Sequence, residues 1–357
     1  MSHWRWPWTV LLVIVLILSI FLLYIQIKLD LFWPEIKKKH DQPILVGKFR
    51  PDNAILVSGG RGAEAGDSIE LYHLEEPSKN RLLNVSLHKP RHGHVSGLSL
   101  NKTLVIAGGW SWDDNRITKT TEFFDFNTKN ISYGPSLLQP RYFAGAAVSE
   151  NIFYICGGEV DNSNHLTESS CESFVNKEFQ PFTAMHEKRQ AFSLVAHERY
   201  LFAIGGYFVV EAKTSVFHSS VERYSMAKNT WQFVAPMLFS RVHFSAAVWQ
   251  QYIFACGGKS SRNPDLDGCE RFEPARNVWI EVAGMTEKRN HFSLVPVGSK
   301  LYAVADWDPC HMDNSCVENY GSRTVEEFLP DKNRWQLLPE KLILAARKAS
   351  SAVAIQA

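Results

Sequence analysis

From Val221 to Gly258 the apolar and polar positions follow a fixed order. Glu222 and Tyr224 belong to an alternating run, and Lys228-Asn229 reads as a polar turn. A second run holds Trp231 and Phe233, followed by Pro236-Met237 and a lone Arg241. An alternating apolar run from Phe244 to Trp249 and a continuous one from Tyr252 to Cys256 complete the unit, which ends in Gly257-Gly258. Four short runs rich in β-branched and aromatic residues, separated by turn signals, predict four strands.

The unit repeats from about Gly47 to the C-terminus. Glycine pairs occur at Gly59-Gly60, Gly108-Gly109, Gly157-Gly158, Gly205-Gly206 and Gly257-Gly258, with first glycines 49, 49, 48 and 52 residues apart. A sixth, degenerate copy carries Ala305-Asp306 at that place. A glutamate opens the next strand each time: Glu70, Glu122, Glu172, Glu222, Glu270 and Glu326. Nine residues later stand Ile131, Trp231, Trp279 or Trp335, with Phe179 as the counterpart in the third copy. One arginine marks every copy: Arg91, Arg141, Arg189, Arg241, Arg289 and Arg347. A period near fifty in this register is the signature of a repeat architecture. One such sheet cannot bury both its faces alone, so the units are expected to stack around a ring.

A strand ending in a glycine pair, then a Glu, an aromatic, a Trp strand and an Arg, resembles the Kelch family over roughly residues 50 to 357. The resemblance implies an all-β fold: a six-bladed Kelch-type β-propeller of four-stranded antiparallel blades. The glycines are expected where the inner strand leaves each blade, since they allow close backbone approach and positive φ. After Arg347 one apolar strand remains, Ser350 to Gln356, so the two ends of the propeller segment, residues 47–357, are expected to complete one blade together.

Residues 1–8 form a short tail, and an unbroken apolar run begins at Thr9 and reaches Ile25. Seventeen residues, extended by Ile27, predict one N-terminal transmembrane helix over 9–27, a signal-anchor of single-pass type. Trp4, Trp6, Trp8, Phe32 and Trp33 fit interfacial anchors. The alternative, a cleaved signal peptide, lacks a small-residue cleavage site in the exit IQIKLDLF. Residues 28–46 read as a charged tether. Lys28, Lys37, Lys38 and Lys39 there, against Arg5 and the α-amine, point to a cytosolic propeller.

The six cysteines point the other way. Cys156 and Cys171 flank a glycine pair, and Cys256 and Cys269 occupy the same two positions two copies on. The other copies have Ser58/Ile69, Ala107/Thr121, Ile204/Val221 and Ala305/Val325, so cysteine stands at both positions or at neither. Neighbouring antiparallel strands would bring each pair to disulfide distance. Cys310 and Cys316 share the insertion DPCHMDNSCVENYGSR of the last copy and would close a small loop. Three even pairs favour a lumenal or extracellular propeller; buried free thiols are the alternative. The sequons at Asn84, Asn101 and Asn130 are usable only on that side.

A net charge of +1 offers no basic excess for nucleic acid. No HExxH, P-loop or GxSxG occurs, and no four-ligand metal cluster or cofactor motif is legible. His243 and His291 fall in repeat positions after the Arg and read as scaffold, with His94 a candidate third. The chain is therefore read as a non-catalytic interaction module that binds a protein or peptide ligand. A membrane-bound propeller enzyme of the galactose oxidase or glycosidase type is the alternative. The resemblance also raises the adaptors of cullin ubiquitin ligases, but the roughly forty residues before the ring leave no room for a BTB or F-box region.

Two groups are candidates for ligand binding. The six arginines enter the innermost strands and are expected to encircle the channel on one face, where a ring of guanidinium groups would take carboxylates. The competing role is pairing with a neighbouring Glu or the blade's own backbone. Trp110, Trp112, Tyr207, Phe208 and Trp307 follow the glycine-pair position, where a loop should leave the ring, and aromatic loop tips serve as protein-binding anchors.

Overall fold

A computed structural model describes residues 54–60, 66–74, 79–99, 103–210, 214–262, 265–304, 324–338 and 351–355. These all fall in the second of two compact units, Pro51–Ala357. The expected membrane segment 9–27 and the tether 28–46, together with Trp307, Cys310, Cys316 and Arg347, lie outside the described residues. Among the described residues no helix is long and apolar enough to cross a membrane.

Among the described residues of this unit are six four-stranded antiparallel sheets, with two two-stranded and one three-stranded sheet beside them. Blade 3 shows the plan: Gly145–Ser149 innermost, then Ile152–Cys156, Cys171–Val175 and Glu178–Phe182 outermost. Blades 4, 5 and 6 repeat it, with innermost strands Ser193–His197, Ser245–Trp249 and Ser293–Val297. Blade 2 begins at Val95–Ser99. In blade 1 the innermost strand is Ser351–Ile355, which pairs with Ala54–Ser58 from the other end of the chain, Leu56 opposite Val353. The innermost strands touch in the order of blades 2, 3, 4, 5, 6 and 1, and that of blade 1 returns to that of blade 2. This closed succession is the arrangement of a β-propeller, whose closure removes exposed sheet faces.

The core lies between blades. Tyr154 and Cys156 of blade 3 pack with Leu194, Leu201 and Trp231 of blade 4. Val195, Phe202 and Ile204 pack likewise with Ile253, Phe272 and Trp279 of blade 5. The outer-strand aromatics keep the register read from the sequence: Trp231 opposes Tyr224, Trp279 opposes Phe272, and Phe179 opposes Phe174. The indoles of the outermost strands, Trp231, Trp279 and Trp335, also donate to the segment leaving the preceding blade. Trp231 Nε1 reaches the Thr183 carbonyl at 2.8 Å, and Trp279 Nε1 the Ala235 carbonyl at 3.0 Å. Large apolar area and a satisfied polar atom are thus placed on the same interblade seam.

The glycine pairs follow the second strand of blades 1 to 5, not the innermost one as the sequence suggested. There they meet the chain entering the next blade. Gly158 N–H donates to the Arg189 carbonyl at 2.8 Å. Gly157 has φ 64°, and a Cβ there would stand 2.4 Å from that same carbonyl oxygen. Both the left-handed conformation and the close approach exclude a side chain.

Both cysteine pairs in the described residues are bonded, Cys156 to Cys171 and Cys256 to Cys269. Each pair is directly opposed across neighbouring strands, with Cα atoms 4.1 Å apart.

Candidate functional site

The five described repeat arginines, Arg91, Arg141, Arg189, Arg241 and Arg289, are 0–2% exposed. Arg141 Nε donates to Glu172 Oε1 at 2.9 Å, and its Nη1 donates to the Gly157 carbonyl at 2.6 Å. Arg91 is paired with Glu122, Arg189 with Glu222, Arg241 with Glu270 and Arg289 with Glu326. The glutamates also accept backbone N–H groups from the segment before the arginine: Leu138 on Glu172 and His186 on Glu222, both at 2.7 Å. Burial pulls the Arg91, Arg141 and Arg189 guanidinium groups down from their ordinary range, while the facing glutamates oppose that pull. A buried ion pair whose remaining donors and acceptors are all engaged is the tolerable form of buried charge. The expected ring of ligand-facing guanidinium groups is therefore corrected. These arginines hold their own blade through the side chain and the preceding blade through the carbonyl, and the competing scaffold role is the one the geometry shows. Arg347 lies outside the described residues.

The residues just after each arginine form the face itself. The residue following the arginine pairs with the one following the glycine pair, giving four rungs: His92 with Trp110, Tyr142 with Glu159, Gln190 with Tyr207, and Val242 with Lys259. One position further on, Gly93, Phe143, Ala191, His243 and His291 all have positive φ, between 50° and 58°. They are tied into an arc around the axis: Phe143 N–H donates to the Gly93 carbonyl, Ala191 to Phe143, His243 to Ala191 and His291 to His243, at 2.8–3.0 Å. These bonds hold Phe143, His243 and His291 in a conformation that bulky side chains otherwise avoid. The residues surround an opening of about 100 Å³ backed by Phe192, Phe244 and Phe292.

Aromatic rings run from the rim across this opening. Trp112, 44% exposed, lies 4.8 Å from the His92 ring. His92 is 5.5 Å from Tyr142, which also meets Trp110 at 6.2 Å. Phe143 and His243 are 4.8 Å apart, His243 and His291 3.8 Å, and Tyr207 and His243 6.1 Å. The structure thus brings Trp110, Trp112 and Tyr207 from the sequence set onto one surface. Phe208 instead stacks on His218 of its own hairpin at 5.4 Å, and Trp307 lies outside the described residues. His92, Tyr142 and Phe143 were missed because an aromatic beside a recurrent arginine reads as scaffold. His243 and His291 do hold repeat positions, but His94 does not: Gly93 occupies theirs, and His94 sits one residue on, against Ser58 at 3.1 Å.

Glu159 was also missed. It is 8% exposed, and its carboxylate is partnered by the His165 ring at 2.9 Å. Burial pushes its carboxyl up from the ordinary range, with His165 opposing. Burial, and then the Glu159 charge, push the Tyr207 phenol up to about 12. Among the described residues no three His, Cys, Asp or Glu side chains gather as a metal site requires.

A ring of four-stranded blades with interior Arg–Glu pairs and glycine pairs at the seams is a repeat propeller, and two of its blades match the Kelch motif. The Kelch motif model matches residues 188–238 and 240–286, which are blades 4 and 5 with their entering arginines. Alpha-scruin of Limulus polyphemus is 24% identical over 222 residues, 58% of this chain and 24% of that protein. Kelch-like protein 41b of Danio rerio is 28% identical over 190 residues, 50% of this chain and 30% of that protein. Kelch-like protein 36 of Bos taurus is 24% identical over 234 residues, 64% of this chain and 36% of that protein. The chain matches about a quarter to a third of the length of these relatives, and its similarity to Kelch-repeat proteins rests on them and on the motif in blades 4 and 5.

Proposed function

We propose that the propeller is a non-catalytic interaction module that binds a protein or peptide ligand on the face bearing the four rungs, and that residues 9–27 hold it at a membrane. Kelch repeats generally serve as protein-interaction modules. The observation that carries this reading is the aromatic belt from Trp112 through Tyr142 and Phe143 to Tyr207, drawn from three blades onto one surface. Large amphipathic rings around a shallow opening are what a protein-binding hot spot requires.

This reading puts the propeller on the lumenal or extracellular side. Two bonded cysteine pairs support this reading, because disulfides persist in oxidising compartments. The lysines of the tether argue for the cytosol; the disulfides are given more weight because they concern the folded domain itself.

A displayed random-peptide library selected on the full chain in detergent micelles tests the ligand-binding reading. Selected peptides should lose at least about tenfold in affinity on Trp112→Ala or Tyr142→Ala. They should be indifferent to Tyr133→Ala, an exposed aromatic on an outermost strand. Failure to recover any binder, or equal loss at all three positions, would count against the face.

A further inference from the structure

Every blade ends in a strand with a single neighbour, so each outermost strand presents an open edge. An open edge is a template for pairing with another chain, and folded proteins blunt it with charge, proline, a bulge or a short strand. Blade 1 has Arg81 and a register shift against its neighbour, and the strand of blade 2, Asn130–Tyr133, is four residues long and opens on a sequon asparagine. Blade 3 has Glu178 and Pro181, blade 5 has Glu281, and blade 6 has Arg334 on a four-residue strand. Among the described outermost strands blade 4 alone has none of these devices. Thr230–Val234 reads TWQFV, and it pairs with Val221–Ser225 in unbroken register. Arg223, across the ladder from Gln232, has its guanidinium over the Tyr200 ring at 4.5 Å. The surface beside this edge is apolar and open to solvent: Phe233, Leu238 and Phe239 are 52%, 53% and 51% exposed. The ladder available to a partner has fixed ends. Asn229 turns the chain with φ 52°, the Ala235 N–H is already given to Asn277 Oδ1 at 3.0 Å, and Pro236 has no N–H. The pairable stretch is therefore 230–234, with Gln232 at its midpoint.

We infer that this edge pairs antiparallel with the same edge of a second copy of the chain, about a two-fold axis at Gln232. In that register Trp231 stands opposite Phe233 of the second copy, and Thr230 opposite its Val234. Aromatic meets aromatic and β-branched meets β-branched on both sides of the axis, and no charge meets a like charge. The same self-pairing would set Glu281 against Trp279 in blade 5, and in blade 3 it would be interrupted by Pro181, which has no N–H to give. A two-fold contact uses one patch twice, so it needs a strand that complements itself. That self-complementarity selects a second copy over a foreign strand. The edge lies on the outer wall of the ring, so the inference does not depend on the reading of the face around the axial opening.

Sedimentation velocity of the full chain in detergent micelles, over a range of concentrations, is the test. The wild type should form a dimer. Gln232→Lys and Gln232→Glu each set two like charges face to face on the axis, and each should weaken the dimer at least about tenfold. An equal mixture of the two variants should recover it, because lysine then faces glutamate. Gln180→Lys, at the matching exposed position on the outermost strand of blade 3, should leave the dimer intact. Gln232 is exposed, and melting temperatures equal to that of the wild type confirm that each variant folds. A wild-type monomer at every concentration leaves the edge to a foreign strand and overturns the inference. A dimer that survives Gln232→Lys also overturns it, by assigning association to another part of the chain such as the apolar run 9–27. So does equal weakening by Gln180→Lys, or a mixture that stays monomeric, which shows that Gln232 does not face itself.

Discussion

Arg189 and Glu222 meet inside the fold, neither side chain accessible to solvent, with Arg189 Nη1 also held by the Gly205 carbonyl at 2.7 Å. The arginine carbonyl simultaneously accepts the Gly158 N–H of the preceding blade. One residue therefore ties the ion pair within a blade to the contact between blades. Glu222→Ala leaves the buried Arg189 guanidinium with only the partly exposed Glu187, at 2.6 Å, as counter-charge and should destabilise the fold by about 1–3 kcal/mol. Replacing Arg189 and Glu222 together by methionine should cost less than the sum of the two single changes, because no lone charge remains. Urea unfolding of the two singles and the double checks both statements; additive losses would show that the pair is not coupled.

The disulfides lie within single blades, so each closes a short loop, with a sequence separation of 15 from Cys156 to Cys171 and of 13 from Cys256 to Cys269. Chain-entropy reasoning assigns about 3 kcal/mol to a loop of this size. Alkylation of the unreduced, unfolded protein should leave these four cysteines unlabelled in a mass map, and reduction should lower the unfolding midpoint. Free thiols at these positions would remove the main support for an oxidising compartment.

Asn84 and Asn130 lie exposed on the outermost strands of blades 1 and 2. If the propeller is lumenal, the full chain made in a eukaryotic cell should carry glycans at one or both, mapped by glycosidase shift and by Asn84→Gln and Asn130→Gln. No shift at either asparagine would favour the cytosolic side.

Glu159 gives a pH prediction with a definite sign. Burial raises its carboxyl above the unfolded value, so the charged form opposes folding. That stability is fully present below the unfolded pKa and is lost as pH rises through the higher folded pKa. Glu159→Gln should therefore melt at or above the wild-type temperature at pH 7, and the difference should shrink as the pH is lowered into the acid range. A lower melting temperature at pH 7 would make Glu159 a structural residue.

Most of the scaffold was legible because it repeats. The spacing of Gly157-Gly158 from Glu172 and Arg189, copied around the chain, reveals strands, seams and the pairing of Cys156 with Cys171, since all are local or recur at a fixed offset. The fate of the arginines was not legible: a residue present in every copy fits a ring around a channel as well as an interior staple, and only burial separates them. The face was legible only in part. Trp110, Trp112 and Tyr207 stand out at the ends of strands, but Phe143 and His243 are a hundred residues apart and meet only because the ring closes. Glu159 escaped notice because a single acid after a glycine pair looks like a solvated turn; its burial appears only in the fold.

The most direct measurement is site-specific photo-crosslinking of the full chain in the cells that make it, with benzoylphenylalanine placed at Trp112, at Tyr207, or at Glu150 and Glu198. The last two occupy the turns between the first and second strands, one strand length away on the opposite face. A discrete adduct from Trp112 and Tyr207, and none from Glu150 or Glu198, is the predicted result. An adduct from Glu150 or Glu198 with none from Trp112 and Tyr207 would contradict the account and put the ligand on the other face.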